Sequence, residues 1–145
     1  MTEYDLDRFV EAQDAMSGLY AQALSEIKAG RKRLHWIWFI FPQMRGLGHS
    51  RKSEFYGIDS RAEAEDYLAH PVLGPRLCEI TQALLAHAGT DPYAIFGSPD
   101  DLKVRSCMTL FDLVRPGDIF GEVLDVFYDG QRCEYTLRKC NSNGH

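Results

Sequence analysis

With 145 residues, 45% of them apolar and 26% charged, the chain is long enough for one globular domain with its own core. The net charge of −5 argues against general nucleic-acid binding, because contacts with phosphates require a basic surface. The spacing of its four cysteines predicts reduced, mostly packed thiols rather than a zinc site or a disulfide framework.

The beginning of the chain does not resemble a targeting segment. The stretch "MTEYDLDRFVEAQ" has neither a basic region nor an apolar core, and both are needed in a signal peptide. The longest apolar stretch, "WIWFIFP", is far shorter than the ~20 residues of a membrane span. We therefore expect a cytoplasmic protein with no membrane partner.

Helical spacing dominates the first half of the chain. It predicts one helix over residues 5–15 and a second over residues 17–30, capped by Ser17 and ended by Gly30. The run "LHWIWFIFPQM" is apolar on both faces, and we interpret it as a short buried helix or turn stopped by Pro42. Residues 45–58, with three glycines and two serines, are predicted to form a loop.

The second half repeats the pattern of short helices between Gly and Pro breaks. Ser60 and Glu63 form a capping box, and Asp91-Pro92 and Ser98-Pro99 resemble helix starts. Further helices are expected over residues 60–68, 73–87, 100–113, 118–127 and 133–140. The predicted fold class is all-α: a compact single-domain array of about seven short helices in orthogonal packing at residues 1–140, followed by a polar tail at residues 141–145.

Three blocks of motif residues resemble the domain of unknown function 1810 family, small all-α bacterial proteins sometimes labelled calpastatin-like. They are met by Gly30, Lys32, His35, Trp36, Trp38, Phe39, Phe41, Pro42, Gln43, Gly46, Leu47, Gly48 and Ser50, by Tyr67, Leu68, His70, Pro71, Leu73, Gly74, Arg76 and Leu77, and by Ile95, Phe96, Gly97, Asp100, Lys103, Ser106, Thr109, Leu110 and Phe111. The resemblance implies the fold and leaves the function open.

The first candidate site combines aromatic and polar side chains in the apolar run and the loop after it. An indole such as that of Trp38 can stack on a flat ring, and the amide of Gln43 can bond to its edge. The loop with Gly48, Ser50 and Lys52 can offer backbone N–H groups and charge to a phosphate. His35, three residues before Trp38, would share its helix face. The alternative is that these rings are core and His35 is an ordinary buried histidine.

A second candidate site lies in "PDDLKVRSCMTLF". On a helix, Lys103, Ser106 and Thr109 follow each other in steps of three, so a cation and two hydroxyls can line one groove. In the alternative, the hydroxyls bond back to helix carbonyls and Lys103 pairs with Asp100.

The third candidate site is His70 before Pro71, with Arg76 in the helix that follows. A histidine before proline is held out of the helical region, and a helix start there would favour an anion. The alternative is a surface break between two helices.

These patterns predict a domain that binds a nucleotide-like or ADP-ribose-like anionic small molecule, with no cofactor and no metal. The ADP-ribose suggestion comes from a loose similarity in size, helix content and Trp/Lys use to the NADAR proteins. Catalysis stays open: a metal-independent hydrolase or glycosidase would use His35 or Asp101 as acid–base groups. The alternatives are a non-catalytic protein–protein interaction module, whose partner the sequence does not name, and motifs that only specify the fold.

Overall fold

Ten helices follow one another along the part of the chain that the structure, a computed structural model, describes: residues 5–16 and 18–143. They are α1 (Asp7–Asp14), α2 (Leu19–Ala29), α3 (Ile37–Ile40), α4 (Arg51–Phe55), α5 (Arg61–Ala69), α6 (Leu73–Leu85), α7 (Pro92–Phe96), α8 (Asp100–Val114), α9 (Ile119–Tyr128) and α10 (Glu134–Asn143). These residues contain no strand, so the all-α class is confirmed. Their number exceeds about seven because α3, α4 and α7 are one-turn helices.

Most helix ends fall where the sequence signals them. Gly30 ends α2 with a φ of 83°, a conformation that costs glycine little. The Ser60 hydroxyl accepts the Glu63 N–H, and the Asp91 carboxylate accepts the Tyr93 N–H. The predicted Ser17 cap lies outside the described residues.

Two segments differ from the sequence-based expectation. The predicted loop at residues 45–58 contains α4, because Ser50 caps it by accepting the Ser53 N–H at 3.1 Å. The helix α10 continues to Asn143, into the predicted polar tail. Among the described helices, none combines the length and apolar character that crossing a bilayer requires.

The core is organised around α8. This helix packs against α5, α7, α9 and α10, while α6 packs against α2, α5 and α9. Its buried apolar side chains, Val104, Cys107, Met108, Leu110 and Phe111, fill the centre of the domain. Burial of this apolar surface is the main force holding α8 in place. The buried apolar residues begin at Val104, so the polar residues before it lie at the edge of the core.

The buried carboxylate of Glu26 fixes the chain between α2 and α3. It accepts the backbone N–H groups of Arg33 at 2.6 Å and Leu34 at 3.1 Å, and the indole N–H of Trp36 at 2.9 Å. Burial by itself would raise the pKa of Glu26, but these hydrogen bonds and one from Gln22 outweigh it and lower the pKa. The indole of Trp36 is thereby held in the core, where it is fully buried.

Candidate functional site

A cavity of about 510 Å³ lies between the segment after α3 and the first turns of α8. Its lining contains aromatic, amide, hydroxyl, thiol and cationic groups from residues that are far apart in the chain: Trp38, Gln43, Leu47, Gly48, His49, Ser50, Ser53, Pro99, Leu102, Lys103, Arg105, Ser106 and Cys133. Six of the residues predicted from sequence as ligand-binding are among them: Trp38, Gln43, Gly48, Ser50, Lys103 and Ser106. The structure therefore brings together the first two candidate sites.

The backbone after α3 is held in place by the loop before α5. The Gln43 carbonyl accepts the Ile58 N–H at 2.9 Å, and the Arg45 N–H bonds to the Ile58 carbonyl at 2.8 Å. The Tyr135 hydroxyl donates to the Arg45 carbonyl at 2.9 Å, which joins this segment to α10. These bonds give the cavity wall a fixed backbone although it lies in irregular structure.

Trp38 is half-buried at the cavity and attracts two cations. The ammonium of Lys103 lies 4.7 Å from the ring centroid, and that of Lys52 lies at 5.2 Å. Both distances are within the range of a cation–π interaction. Lys52 therefore reaches Trp38, although it does not line the cavity.

Lys103 belongs to a cluster with more positive than negative charge. Its ammonium lies 3.0 Å from one oxygen of Asp100, whose other oxygen lies 2.8 Å from the Lys32 ammonium. Burial alone would raise the pKa of Asp100, but the hydrogen bonds and charges of the two lysines lower it. Because two ammonium groups share one carboxylate, the cluster keeps an uncompensated positive charge.

The Gln43 side chain is a polar group of the cavity without a hydrogen-bond partner among the described residues. It is only 8% exposed, it lines the cavity, and its amide makes no hydrogen bond to any residue that the structure describes. The comparably buried Gln13 donates to the Phe39 carbonyl at 2.8 Å and accepts from Arg76 at 3.1 Å. The Gln43 amide atoms are not among the fully buried side-chain atoms without a partner, so they reach the cavity and are available to a ligand.

Gly48, Ser50 and Ser53 form the wall next to α4. A Cβ atom at Gly48 would lie 2.7 Å from the Ser53 Cβ, so only glycine fits there. The Ser53 hydroxyl donates to the Ser50 carbonyl at 2.8 Å. Gly48 was predicted to offer its backbone N–H to a phosphate. It also allows the close packing against Ser53 that places Ser50 at the cavity.

The two hydroxyls of α8 bond back to their own helix, as in the alternative interpretation. Ser106 donates to the Leu102 carbonyl at 3.1 Å, and Thr109 donates to the Arg105 carbonyl at 2.8 Å. Ser106 still lines the cavity, with its oxygen lone pairs unused by this bond. Thr109 does not line it: its oxygen accepts the Cys133 N–H at 3.0 Å and so positions the cavity wall.

The structure places the predicted site residue His35 away from the cavity. The argument that it shares a face with Trp38 assumed a helix through both residues, but α3 begins only at Ile37. Glu26 draws the backbone of residues 33–34 and the Trp36 indole inward, and the His35 side chain is exposed and does not line the cavity.

Asp101 also lies away from the cavity. It stands in the first turn of α8, where its carboxylate accepts the Leu102 N–H at 2.9 Å, and it does not line the cavity. This is the ordinary role of an acidic residue in the first turn of a helix. The suggestion that His35 or Asp101 acts as an acid–base group stays a prediction.

His70 and Arg76 form no part of the cavity and have structural partners. The ring Nδ1 of His70 accepts the backbone N–H groups of Val72 at 3.1 Å and Leu73 at 3.2 Å. Arg76 pairs with Asp14 at 2.9 Å and lies 5.1 Å from the Tyr20 ring centroid. The histidine thus accepts backbone N–H groups at the start of α6, and anion binding by His70 and Arg76 stays a prediction.

Sequence reasoning missed Arg105 and Cys133. The Nε atom of Arg105 is buried without a hydrogen-bond partner among the described residues. Cys133 directly precedes α10 and was grouped with the packed thiols. A cysteine just before a helix is a recognised setting for a reactive thiol, and this was the available signal.

No carboxylate is found among the described residues that line the cavity, although the chain as a whole is acidic. A second cavity, of about 760 Å³, shares His49 and Ser50 with the first. Its walls contain the ion pairs Arg8–Glu63 and Arg45–Asp59, both at 2.9 Å, which neutralise two of its cations. The smaller cavity is therefore the better candidate for an anion.

Comparisons with known proteins agree with the fold. The crystal structure of the conserved hypothetical protein Rv1873 from Mycobacterium tuberculosis matches with a TM-score of 0.91 and 43% identity, covering 97% of this chain and 99% of that one. No curated protein matches the chain. A family model described as "Protein of unknown function (DUF1810)" matches residues 3–140. With nearly its whole length matched, the chain belongs to the DUF1810 family.

Proposed function

We propose that the cavity between α8 and the segment after α3 binds a small anionic ligand that also carries a flat ring, a nucleotide-like or ADP-ribose-like molecule. The observation that carries this proposal is the Gln43 amide, which is buried at the cavity and has no partner among the described residues. A ligand group that accepts from or donates to this amide removes the cost of its burial.

The charges of the cavity support an anionic ligand. Lys103 and Arg105 line it, and the cluster of Lys32, Asp100 and Lys103 keeps a positive charge. An anion that enters meets no opposing carboxylate among the described lining residues. In an otherwise acidic protein, this local positive field raises the concentration of anions at the cavity.

The apolar part of the cavity supports a ring. Trp38, Leu47, Pro99 and Leu102 contribute apolar surface next to the polar groups. The volume of about 510 Å³ falls in the range of small-molecule sites, which combine apolar walls with a few polar groups. A ring against Trp38 would gain stacking of about 1–3 kcal/mol.

The setting we propose is the cytoplasm of a bacterium. The four cysteines are free thiols, which fits a reducing compartment, and the solved relative comes from Mycobacterium tuberculosis. Because His35 and Asp101 lie away from the cavity, the proposal is one of binding and assigns no hydrolysis to them.

A thermal-shift screen tests the proposal by separating the ring from the anion. Adenosine carries the ring, pyrophosphate carries the charge, and AMP and ADP-ribose carry both. We expect AMP or ADP-ribose to raise the melting temperature of the protein, because a ligand bound only by the folded state stabilises it. The shift should be smaller with adenosine or pyrophosphate alone.

Variants define the site in the same screen. Gln43→Leu and Lys103→Gln are expected to abolish the shift, whereas Lys28→Gln, at an exposed lysine of α2, serves as a matched control and retains it. If none of the compounds shifts the melting temperature, and Trp38→Ala instead releases a stoichiometric protein partner, the protein is an interaction module and the proposal fails.

A further inference from the structure

Cys133 is fixed at the boundary between the cavity and α10. Its backbone N–H donates to the Thr109 hydroxyl at 3.0 Å, and its carbonyl accepts the Leu137 N–H at 3.1 Å, a bond of the first turn of α10. The residue is 5% exposed and lines the cavity. Its thiol is therefore held at the N-terminus of a ten-residue helix, where the helix dipole favours negative charge.

The groups around the sulfur favour a thiolate. Burial alone would raise the pKa of the Cys133 thiol, but the Ser106 hydroxyl, the hydroxyl and N–H of Thr136, and the charge of Arg105 together lower it below its usual value. Thr136 is fully buried, and its hydroxyl has no hydrogen-bond partner, sulfur included, among the described residues. It is thus available to the sulfur.

The other cysteines have different surroundings. Cys107 and Cys140 are packed in the core, where burial raises the pKa of both thiols. Cys78 is half-buried on α6 and does not line the cavity. It is therefore an internal reference with some access to solvent but without the cavity around it.

An independent feature of the cavity indicates that Cys133 faces a ligand. The Gln43 amide, more than nine-tenths buried and without a protein partner among the described residues, lines the same space, as does the Lys103 ammonium. An anionic molecule bound by these groups would occupy the cavity that Cys133 lines.

We propose that Cys133 is the nucleophile of this cavity, and that it forms a covalent bond with small carbon electrophiles that carry an anionic group. The preference for an anion rests on the binding function proposed above. In the reaction, the thiol first gives its proton to water. The sulfur electron pair then forms the S–C bond, and the leaving group departs with the electrons of the bond that breaks.

Two alkylating reagents that react by the same displacement but differ in charge test the proposal on the full-length protein. Iodoacetate is an anion and iodoacetamide is neutral, and both lose iodide when the S–C bond forms. Mass spectrometry of peptides gives the alkylation rate at each cysteine. We expect iodoacetate to modify Cys133 about tenfold faster than Cys78, a ratio that corresponds to about 1.4 kcal/mol, and faster than iodoacetamide modifies Cys133.

Variants at lysine show whether the charge of Lys103, rather than access of the reagent to the thiol, determines the rate. Lys103→Gln should slow the reaction of Cys133 with iodoacetate several-fold and leave the iodoacetamide rate nearly unchanged, whereas Lys28→Gln should change neither rate. The iodoacetamide rate at Cys133 should reach half its maximum at a lower pH in the folded protein than in the urea-unfolded protein, because the folded structure lowers the pKa of this thiol. Cys133→Ser confirms the assignment of the modified peptide.

Two results would overturn the proposal. Absence of alkylation at Cys133, while Cys78 reacts, shows that the thiol is not accessible as a nucleophile. The preference for an anion is removed if the ratio of the iodoacetate rate to the iodoacetamide rate at Cys133 is no larger than the same ratio for a free thiol such as glutathione. Both outcomes are distinct from failure of the proposed function, because the thermal shift with AMP or ADP-ribose is measured without any reaction of Cys133.

Discussion

Gln13 and Gln43 are both buried, but among the described residues only the amide of Gln13 has partners. This difference is more direct support for a ligand at the cavity than the presence of aromatic residues is. A structural glutamine is bonded to the protein around it, whereas a binding residue keeps its hydrogen-bonding capacity for the ligand at a cost to stability.

The two glutamines give a prediction about stability. Gln43→Leu should leave the free energy of unfolding without ligand unchanged within about 1 kcal/mol, or raise it, because the amide makes no hydrogen bond to any of the described residues. Gln13→Leu should lower it by about 2 kcal/mol, because it leaves the Phe39 carbonyl and Arg76 without their partner. Urea denaturation measures both values. A loss for Gln43→Leu as large as that for Gln13→Leu would mean that the amide has a structural role.

Glu26 gives a prediction about pH. Its folded-state pKa is lowered, so its contribution to stability is present above the unfolded-state pKa of about 4.3 and is lost as the pH falls through the folded-state value. Glu26→Gln should therefore cost about 2–3 kcal/mol at neutral pH. The difference from the original protein should shrink below about pH 4.

Urea denaturation across this pH range checks the prediction about Glu26. The control is Glu122→Gln, at an exposed position of α9, which should change stability little at any pH. A deficit for Glu26→Gln that stays constant down to low pH would contradict the role assigned to the carboxylate.

At the scale of the elements, the start of α6 is determined by a histidine. The His70 ring accepts two backbone N–H groups that the first turn of α6 leaves unpaired. His70→Ala should lower the free energy of unfolding by about 1 kcal/mol, and His70→Asn, which keeps a short acceptor, should recover part of it. Equal stability of the alanine variant and the original protein would exclude a capping role.

The contact between α5 and α6 depends on Gly74. A Cβ atom there would clash with the Leu68 carbonyl, which belongs to the backbone and has little freedom to move. Gly74→Ala should lower stability by about 2 kcal/mol or more. Gly121→Ala is the matched control, because its Cβ would meet only the carboxylate of Asp112 at 2.6 Å, and this side chain can move away. Thermal unfolding of the two variants tests the difference, and equal losses would contradict it.

The elements also show how far the sequence predicts the structure. Helix ends with a local chemical cause, such as Gly30 and Ser60, were predicted because the cap lies in the sequence next to the helix. The start of α3 was not predicted, because it depends on Glu26 of the preceding helix, whose carboxylate accepts the Arg33 N–H and the Trp36 indole N–H. The sequence analysis placed His35 on the same helix face as Trp38 because it could not show this contact between Glu26 and the chain before α3.

At the scale of the whole molecule, the cavity depends on segments about sixty positions apart. The expectation from the sequence was that His35, Gln43, Lys103 and Ser106 share one cavity, and the structure brings Gln43, Lys103 and Ser106 together with Trp38 instead of His35. Cys133 was missed because its position before a helix does not reveal the packing of α10 on α8 that brings it to the cavity.

The central claim is that the Gln43 amide and Trp38 bind the ligand. Nuclear magnetic resonance of the nitrogen-15-labelled protein, titrated with ADP-ribose, observes both groups. We predict that the side-chain NH₂ signals of Gln43 and the indole N–H signal of Trp38 shift with one saturable binding curve, while the side-chain NH₂ signals of Gln13 stay in place. Unchanged Gln43 and Trp38 signals at saturating ADP-ribose, or shifts confined to residues around His70 and Arg76, would contradict the account.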